Sequence, residues 1–128
     1  MANPSLNSTV RLLLTNASGG AVAQGAVVIL DTTTKSFTTT TSAGFNTRMV
    51  GVVLDPAGIA NGAVGQIAVA GYVPKITLNA GGTPGDKVRT HTVAGQGVVS
   101  SSNQTGDFGY ILGSGTTPEA VLWTMPAR

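Results

Sequence analysis

The sequence predicts an all-β protein built around a small β-barrel. Apolar residues alternate with polar ones or form short blocks, and clusters of Gly, Pro, Asn or Thr interrupt them about every ten residues. Helical periodicity is almost absent. The length of 128 residues suits one domain with a single core. Together, these observations favour a chain of short strands closed by turns.

The composition indicates an unusual surface. Only 9% of the residues are charged, against roughly 25% in an average globular protein, and only 5% are aromatic. The core must therefore be made of Val, Ile, Leu and Ala, and the surface of Thr, Ser, Asn, Gln and Gly. A surface that relies so little on charge suits a protein that is covered by neighbours.

The elements follow from the alternation and its interruptions. Residues 1–9 are predicted to form a polar N-terminal arm, and residues 10–128 a single barrel domain. Within the barrel we expect ten strands, at residues 10–15, 26–31, 36–41, 48–54, 66–71, 73–78, 86–92, 97–101, 107–112 and 120–125.

One stretch of the chain changes its alternation. Ile67 and Val73 share one parity, whereas Ile76 and Leu78 share the other. A period of two cannot change parity without a bulge or a bend, and Gly71 and Pro74 lie at the change. We therefore expect the chain to turn a barrel corner there.

The sequence also contains a faint internal repeat. Residues 24–31 (QGAVVILD) match residues 84–91 (PGDKVRTH) in placement, and residues 50–55 (VGVVLD) match residues 108–113 (FGYILG). Few residues are identical, chiefly the glycines and the pair Val28 and Val88. Two meanders of similar length without any duplication would look much the same.

Part of the chain resembles a known family. The segments carrying the resemblance are residues 65–76 (GQIAVAGYVPKI), 84–86 (PGD) and 107–112 (DFGYIL). They are similar to a small β-barrel module of bacteriophage virion proteins, found in capsid decoration (cement) proteins and in fibre and tail-spike proteins. The resemblance covers about half of the chain, from Arg48 to Gly113.

The resemblance implies a β-tulip-like barrel and a structural function. Decoration proteins are typically homotrimers that bind the major capsid protein on the outer capsid surface and stabilise the shell, after synthesis in the host cytoplasm. The small size favours a decoration protein. The alternative is a head- or tail-fibre or spike module that binds a host surface, such as a glycan, with Tyr72 and Tyr110 as the displayed aromatic residues.

Other functional classes fit the sequence poorly. The seven Lys and Arg residues are scattered, whereas nucleic-acid binding needs them clustered. No apolar run approaches the roughly 20 residues of a membrane span, and the N-terminal residues do not resemble a signal peptide. We therefore expect no direct nucleic-acid or membrane partner.

The sequence offers no catalytic constellation. His91 is the only histidine, no Ser lies on a Gly-x-Ser-x-Gly elbow, and there is no cysteine. The five acidic residues stand alone in turns, where Asp bonds to nearby backbone amides. We therefore expect neither an enzyme nor a cofactor or metal site.

Two regions are candidate capsid or subunit interfaces. The first is the arm and the strand after it, with Leu6, Val10 and Leu12, which could add to a neighbour's sheet edge; a frayed terminus is the alternative. The second contains Lys87 and Arg89, which share a strand face with His91 and could meet an acidic capsid surface. A solvated strand face is the alternative there.

Trp123 is the third candidate. It is the only tryptophan of the chain. Trp is enriched among the residues that dominate binding at interfaces, but a lone Trp in a small barrel is more often part of the core. The sequence leaves both roles open.

Overall fold

The structure of this chain is a computed structural model that describes residues 8–45 and 47–123. The described residues contain no helix and form nine strands in a single sheet. The strands are β1 (Thr9–Asn16), β2 (Val27–Leu30), β3 (Ser36–Thr38), β4 (Val50–Val53), β5 (Val64–Val73), β6 (Lys87–Thr90), β7 (Gly97–Ser100), β8 (Gly109–Ile111) and β9 (Ala120–Leu122).

The first five strands close into a barrel. The strand order is β1-β3-β2-β4-β5, and β1 also pairs with β5, which closes the ring. Each strand contributes a buried side chain to one hydrophobic cluster, namely Leu14, Val28, Phe37, Val53 and Ile67. The predicted all-β fold with a small barrel is confirmed.

The other four strands repeat the arrangement of the barrel. The order β3-β2-β4-β5 of the first half recurs as β7-β6-β8-β9 in the second. The register agrees as well, because Val28 pairs with Gly51 in the first half and Val88 pairs with Gly109 in the second. The two halves therefore have the correspondence that the faint sequence repeat indicated.

The chain after β5 takes the place of β1 in the second half. In the first half, Thr15 of β1 pairs in parallel with Ser36. In the second half, Leu78 forms a parallel bridge with Gly97, whose amide donates to the Thr77 carbonyl at 2.8 Å. The end of β5 and the segment after it run beside β9 and β7. In the same way, β1 runs beside β5 and β3.

β5 joins the two halves through a bend. Ala68 pairs with β4, whereas Gly71, with a φ of +85°, pairs with Leu122 of β9. The register against β1 also shifts by one residue, between Val10 and Arg11. The predicted corner at Gly71 therefore coincides with the exchange of one partner strand for another.

The prediction of two strands at residues 66–71 and 73–78 was wrong. β5 runs unbroken from Val64 to Val73, and the segment after it contains no strand. Pro74 follows β5 directly and lacks the N–H that a ladder needs. Ile76 and Leu78 are nevertheless buried, and their amides donate to the carbonyls of residues 118 and 116. The other eight predicted strands overlap the observed ones, mostly with shorter ends, and residues 124–125 of the last predicted strand lie outside the described residues.

The expected single core consists of two adjoining clusters. The sequences VVIL of β2 and VGVV of β4 are apolar on both faces, so neighbouring residues point into different clusters. Val27 packs with Val88 and Ile111 of the second half, whereas Val28 packs inside the barrel with Phe37. β2, β4 and β5 therefore lie between the two clusters and hold them together.

Candidate interaction surfaces

The first candidate surface lies along β1. Val10 and Leu12 are exposed, and the structure adds Leu13 and Val64, which are 66% and 62% exposed. We call these four residues the β1 patch. Leu6, which the sequence placed in the same interface, lies outside the described residues. The β1 patch is a set of exposed large apolar side chains on β1 and at the start of β5, and Leu12 lies on the opposite side of β1 from its neighbour Leu13.

The pairing of β1 explains this exposure. β3 pairs only with Thr15 and Asn16, so residues 10–14 pair with β5 alone within the part of the chain that the structure describes. The side chain of Leu14 enters the barrel, and Leu13, with the opposite parity, points away from it. Residues 10–14 are therefore an edge that another strand could extend.

The second candidate surface is the outer face of β6, β8 and β9. One row of paired residues crosses it in the order Tyr72, Val121, Tyr110 and Lys87. Directly paired residues share a face of the sheet, so these side chains stand side by side. The Lys87 ammonium lies 5.7 Å from the centre of the Tyr110 ring. We call this row, together with Trp123, the aromatic face.

Trp123 lies at one end of the aromatic face. Its ring meets the Tyr110 ring edge to face, with centroids 5.0 Å apart and planes at 69°. The side chain is half-buried, and its indole N–H is enclosed without an acceptor among the described residues. Trp123 belongs to neither hydrophobic cluster. It is a surface aromatic with one side covered, and its role as an interface residue stays a prediction.

Lys87 and Arg89 extend the aromatic face along β6. The side chains of Val88 and Thr90 are fully buried, so the intervening residues Lys87, Arg89 and His91 lie on the opposite, outer side. This alternation is the one expected from the sequence. It gives the aromatic face a positively charged border.

The border on the other side is acidic. The Tyr72 hydroxyl donates a short hydrogen bond to the Glu119 carboxylate. This hydrogen bond, together with partial burial, raises the pKa of Tyr72 above its usual value of 10.0. The hydrogen bond fixes the position of the Tyr72 ring and leaves a negative charge opposite the Lys87 side of the row.

The acidic side chains of the turns bond to the backbone. Asp86 accepts from the Thr83 amide at 3.1 Å, and Asp107 accepts from the Gln104 amide at 2.7 Å. Asp31 bonds to the amides of the two residues after it, and the bond to Thr32 is the main reason that its pKa is lowered. In the described residues no three His, Cys, Asp or Glu side chains come together as a metal site would require. No helix in that part of the chain is long and apolar enough to span a membrane.

A third feature is an open polar cleft of about 410 Å³ beside the barrel. Its lining includes Arg11 of β1, Gln66 and Tyr72 of β5, and Asp55 of the loop after β4. We call it the polar cleft. Sequence reasoning missed it, because nothing in the sequence indicates that Arg11 and Asp55 lie beside Gln66 and Tyr72.

Comparison with known proteins gives a match of fold. No protein-family model matches the chain, and no curated protein sequence matches it. Among solved structures, the chain is similar to the N base of the head fibre protein gp8.5 of bacteriophage phi29, with a TM-score of 0.56 and 12% identity. The match covers 94% of this chain and 99% of that one. At this identity the likeness shows that the two chains share a fold.

Proposed function

We propose that the chain is a structural component of a bacteriophage virion that binds the outer capsid surface as a decoration, or cement, protein. The observation that carries the proposal is the shared fold with the phi29 head fibre base, which extends over nearly the full length of both chains. Two unrelated features support it. The surface is poor in charge, and four large apolar side chains on β1 and at the start of β5 are exposed.

The two surfaces suit two different contacts. The β1 patch is apolar and includes a strand edge, which fits contact with further copies of this chain in a homotrimer. The aromatic face has a border formed by Lys87 and Arg89, which fits an acidic area on the major capsid protein. Such a protein would connect neighbouring capsid subunits, so both contacts would be needed.

The mechanism is mechanical. The bound protein would bury apolar and main-chain surface across the joints between capsid subunits. Opening the shell would expose this surface again, so the binding free energy would oppose opening. Pressure from packaged DNA pulls the same joints apart, so the added contacts would raise the force at which the shell fails. This role calls for no cofactor, catalytic step, nucleic-acid contact or membrane contact.

The base of a head fibre is the second candidate function. The named likeness is to a fibre base, and it covers 99% of that protein chain. A base of this kind would also bind the outside of the head, but at few positions, and would carry or form a part that reaches a host surface. The fold suits both roles.

The copy number of the chain in native particles distinguishes the two functions. Particles are purified, and quantitative mass spectrometry compares this chain with the major capsid protein. A ratio near one copy for each major capsid subunit would support decoration, whereas a few copies per particle would support a fibre base. Absence of the chain from purified particles would contradict both.

A further inference from the structure

We infer that the polar cleft binds a neutral saccharide. The cleft lies between β1, β5 and the loops at residues 24 and 54–56, and its volume of about 410 Å³ is in the range of small-molecule sites. The inference deepens the fibre-base candidate, on which it rests for its biological setting.

The polar side chains of the cleft hold one another in place. Arg11 donates to the Gln66 side-chain oxygen at 2.7 Å, and the Asp55 carboxylate accepts from the Gln66 backbone amide at 2.9 Å. The Gln66 side-chain nitrogen lies 3.5 Å from the same carboxylate, and Gln24 donates to the Leu54 carbonyl at 3.2 Å. Planar groups fixed in this way lose little freedom when a ligand binds.

The chemistry of the lining selects the class of ligand. Arg11 and Asp55 are the charged side chains of the lining, and their charges cancel. A phosphate or sulfate would have to compete with Asp55, and a cation with Arg11. A sugar is neutral, and each of its hydroxyl groups both donates and accepts, which matches guanidinium, amide and carboxylate groups arranged side by side.

The apolar part of the lining supports the same class. Tyr72, Pro56 and Pro74 contribute ring surfaces next to the polar groups. The hydrogen bond to Glu119 fixes the Tyr72 ring, and an aromatic ring offers an apolar body with a polar rim. The C–H face of a sugar ring can pack on such a surface while its hydroxyl groups reach Arg11 and Gln66.

The internal repeat provides a comparison for two polar residues of the cleft, Gln24 and Asp55. By the correspondence of the two halves, Pro84 stands in the position of Gln24, and Gly113 in that of Asp55. The second half therefore lacks these two polar side chains, whereas Glu119 stands in the position of Gln66, because the Leu54 amide donates to the Gln66 carbonyl and the Leu112 amide to the Glu119 carbonyl. Another cleft, of about 370 Å³, is lined by Ser18, Thr77 and Gln96 among others, and it has neither a charged nor an aromatic residue. Size alone therefore does not distinguish the polar cleft.

The test is a ligand titration of the isolated chain, residues 1–128, in which amide NMR spectra monitor binding. The probes are glucose, galactose and N-acetylglucosamine, with inorganic sulfate as the charged comparison. We expect saturable shifts of the Arg11, Asp55, Gln66 and Tyr72 amides with at least one sugar. Arg11→Met should weaken that binding about tenfold. Gln24→Ala, a second variant in the polar cleft, should also weaken sugar binding. Gln96→Ala, in the other cleft, is the matched control and should leave sugar binding unchanged.

Three results would overturn the inference. One is the absence of saturable shifts with any of the sugars in a protein whose spectrum shows it folded. The second is a set of shifts that centres on Gln96, and the third is tighter binding of sulfate than of sugar in the polar cleft. Because the titration uses no particles, its failure would leave the copy-number result, and with it the proposed function, unaffected.

Discussion

Val28 and Val88 occupy equivalent positions in the two halves of the fold, each fully buried and each paired with a glycine of the neighbouring strand. Val28 packs inside the closed barrel, whereas Val88 packs in the cluster of the second half. The same substitution at Val28 and at Val88 therefore tests the two hydrophobic clusters separately.

Val28→Ala and Val88→Ala should each lower the free energy of unfolding by about 2 kcal/mol, because each removes two buried methyl groups and leaves a cavity. Both should shift one and the same thermal transition, since β2, β4 and β5 contribute to both clusters. Scanning calorimetry would measure this. Two separate transitions, each moved by only one of the variants, would contradict the prediction.

Gly71→Ala should destabilise the fold more than Gly85→Ala. Both glycines have a positive φ, of +85° and +92°, so alanine at either should cost roughly 1–2 kcal/mol. At Gly71 a Cβ would also collide with the carbonyl oxygen of Ser8, which accepts a hydrogen bond from the Tyr72 amide, whereas at Gly85 it would meet no atom within 4 Å. Urea unfolding of both variants checks this, and equal losses would show that the contact with Ser8 does not matter.

The places where sequence reasoning succeeded and failed have physical causes. Alternation reports burial, so it located eight strands and the bend at Gly71. It could not distinguish a buried strand from the buried but irregular segment around Ile76, whose amides bond to a loop instead of a strand.

The surfaces were predicted less completely than the strands. The run Leu12–Leu13–Leu14 contained a usable signal, because only one parity can face a barrel interior, so Leu13 had to point outward. The polar cleft gave no such signal. Arg11 and Gln66 are 55 residues apart, and only the pairing of β1 with β5 brings them into contact.

Glu119→Gln should lower the pKa of Tyr72 toward its ordinary value, because the charged acceptor that favours the protonated phenol is removed. Because the pKa of Tyr72 is higher in the folded than in the unfolded protein, its hydrogen bond contributes to the free energy of unfolding. This contribution is complete below pH 10 and is lost as the pH rises through the raised pKa of Tyr72. The unfolding free energy of the parent protein should therefore fall more steeply above pH 10 than that of Tyr72→Phe. Urea unfolding between pH 8 and pH 11, with NMR titration of the tyrosine rings, measures both effects, and parallel curves would contradict the prediction.

Deletion of residues 2–7 should weaken binding to capsids that lack the chain, if the arm contacts the shell or a neighbouring copy. The deletion should end before Ser8, because the Ser8 carbonyl accepts from Tyr72 and β1 begins at Thr9. The arm and the fold are then tested separately. Binding is followed by cosedimentation with purified shells, with a thermal melt of each protein as the control. An unchanged affinity would rule out a contact by the arm.

Replacement of both Lys87 and Arg89 by Gln should weaken binding to the same capsids and reduce its dependence on salt. The two side chains lie on the outer side of β6, at the border of the aromatic face, and removal of their charges leaves the buried Val88 and Thr90 in place. Attraction to an acidic capsid surface is screened over about 10 Å at 0.1 M salt, so the parent protein should lose affinity as salt is added, and the double variant should lose less. Lys35 lies in an exposed turn between β2 and β3 and is not part of the aromatic face or its border. Lys35→Gln therefore removes a positive charge elsewhere on the protein and serves as the control. If the double variant and the control show the same salt dependence as the parent, the positive border has no part in capsid binding.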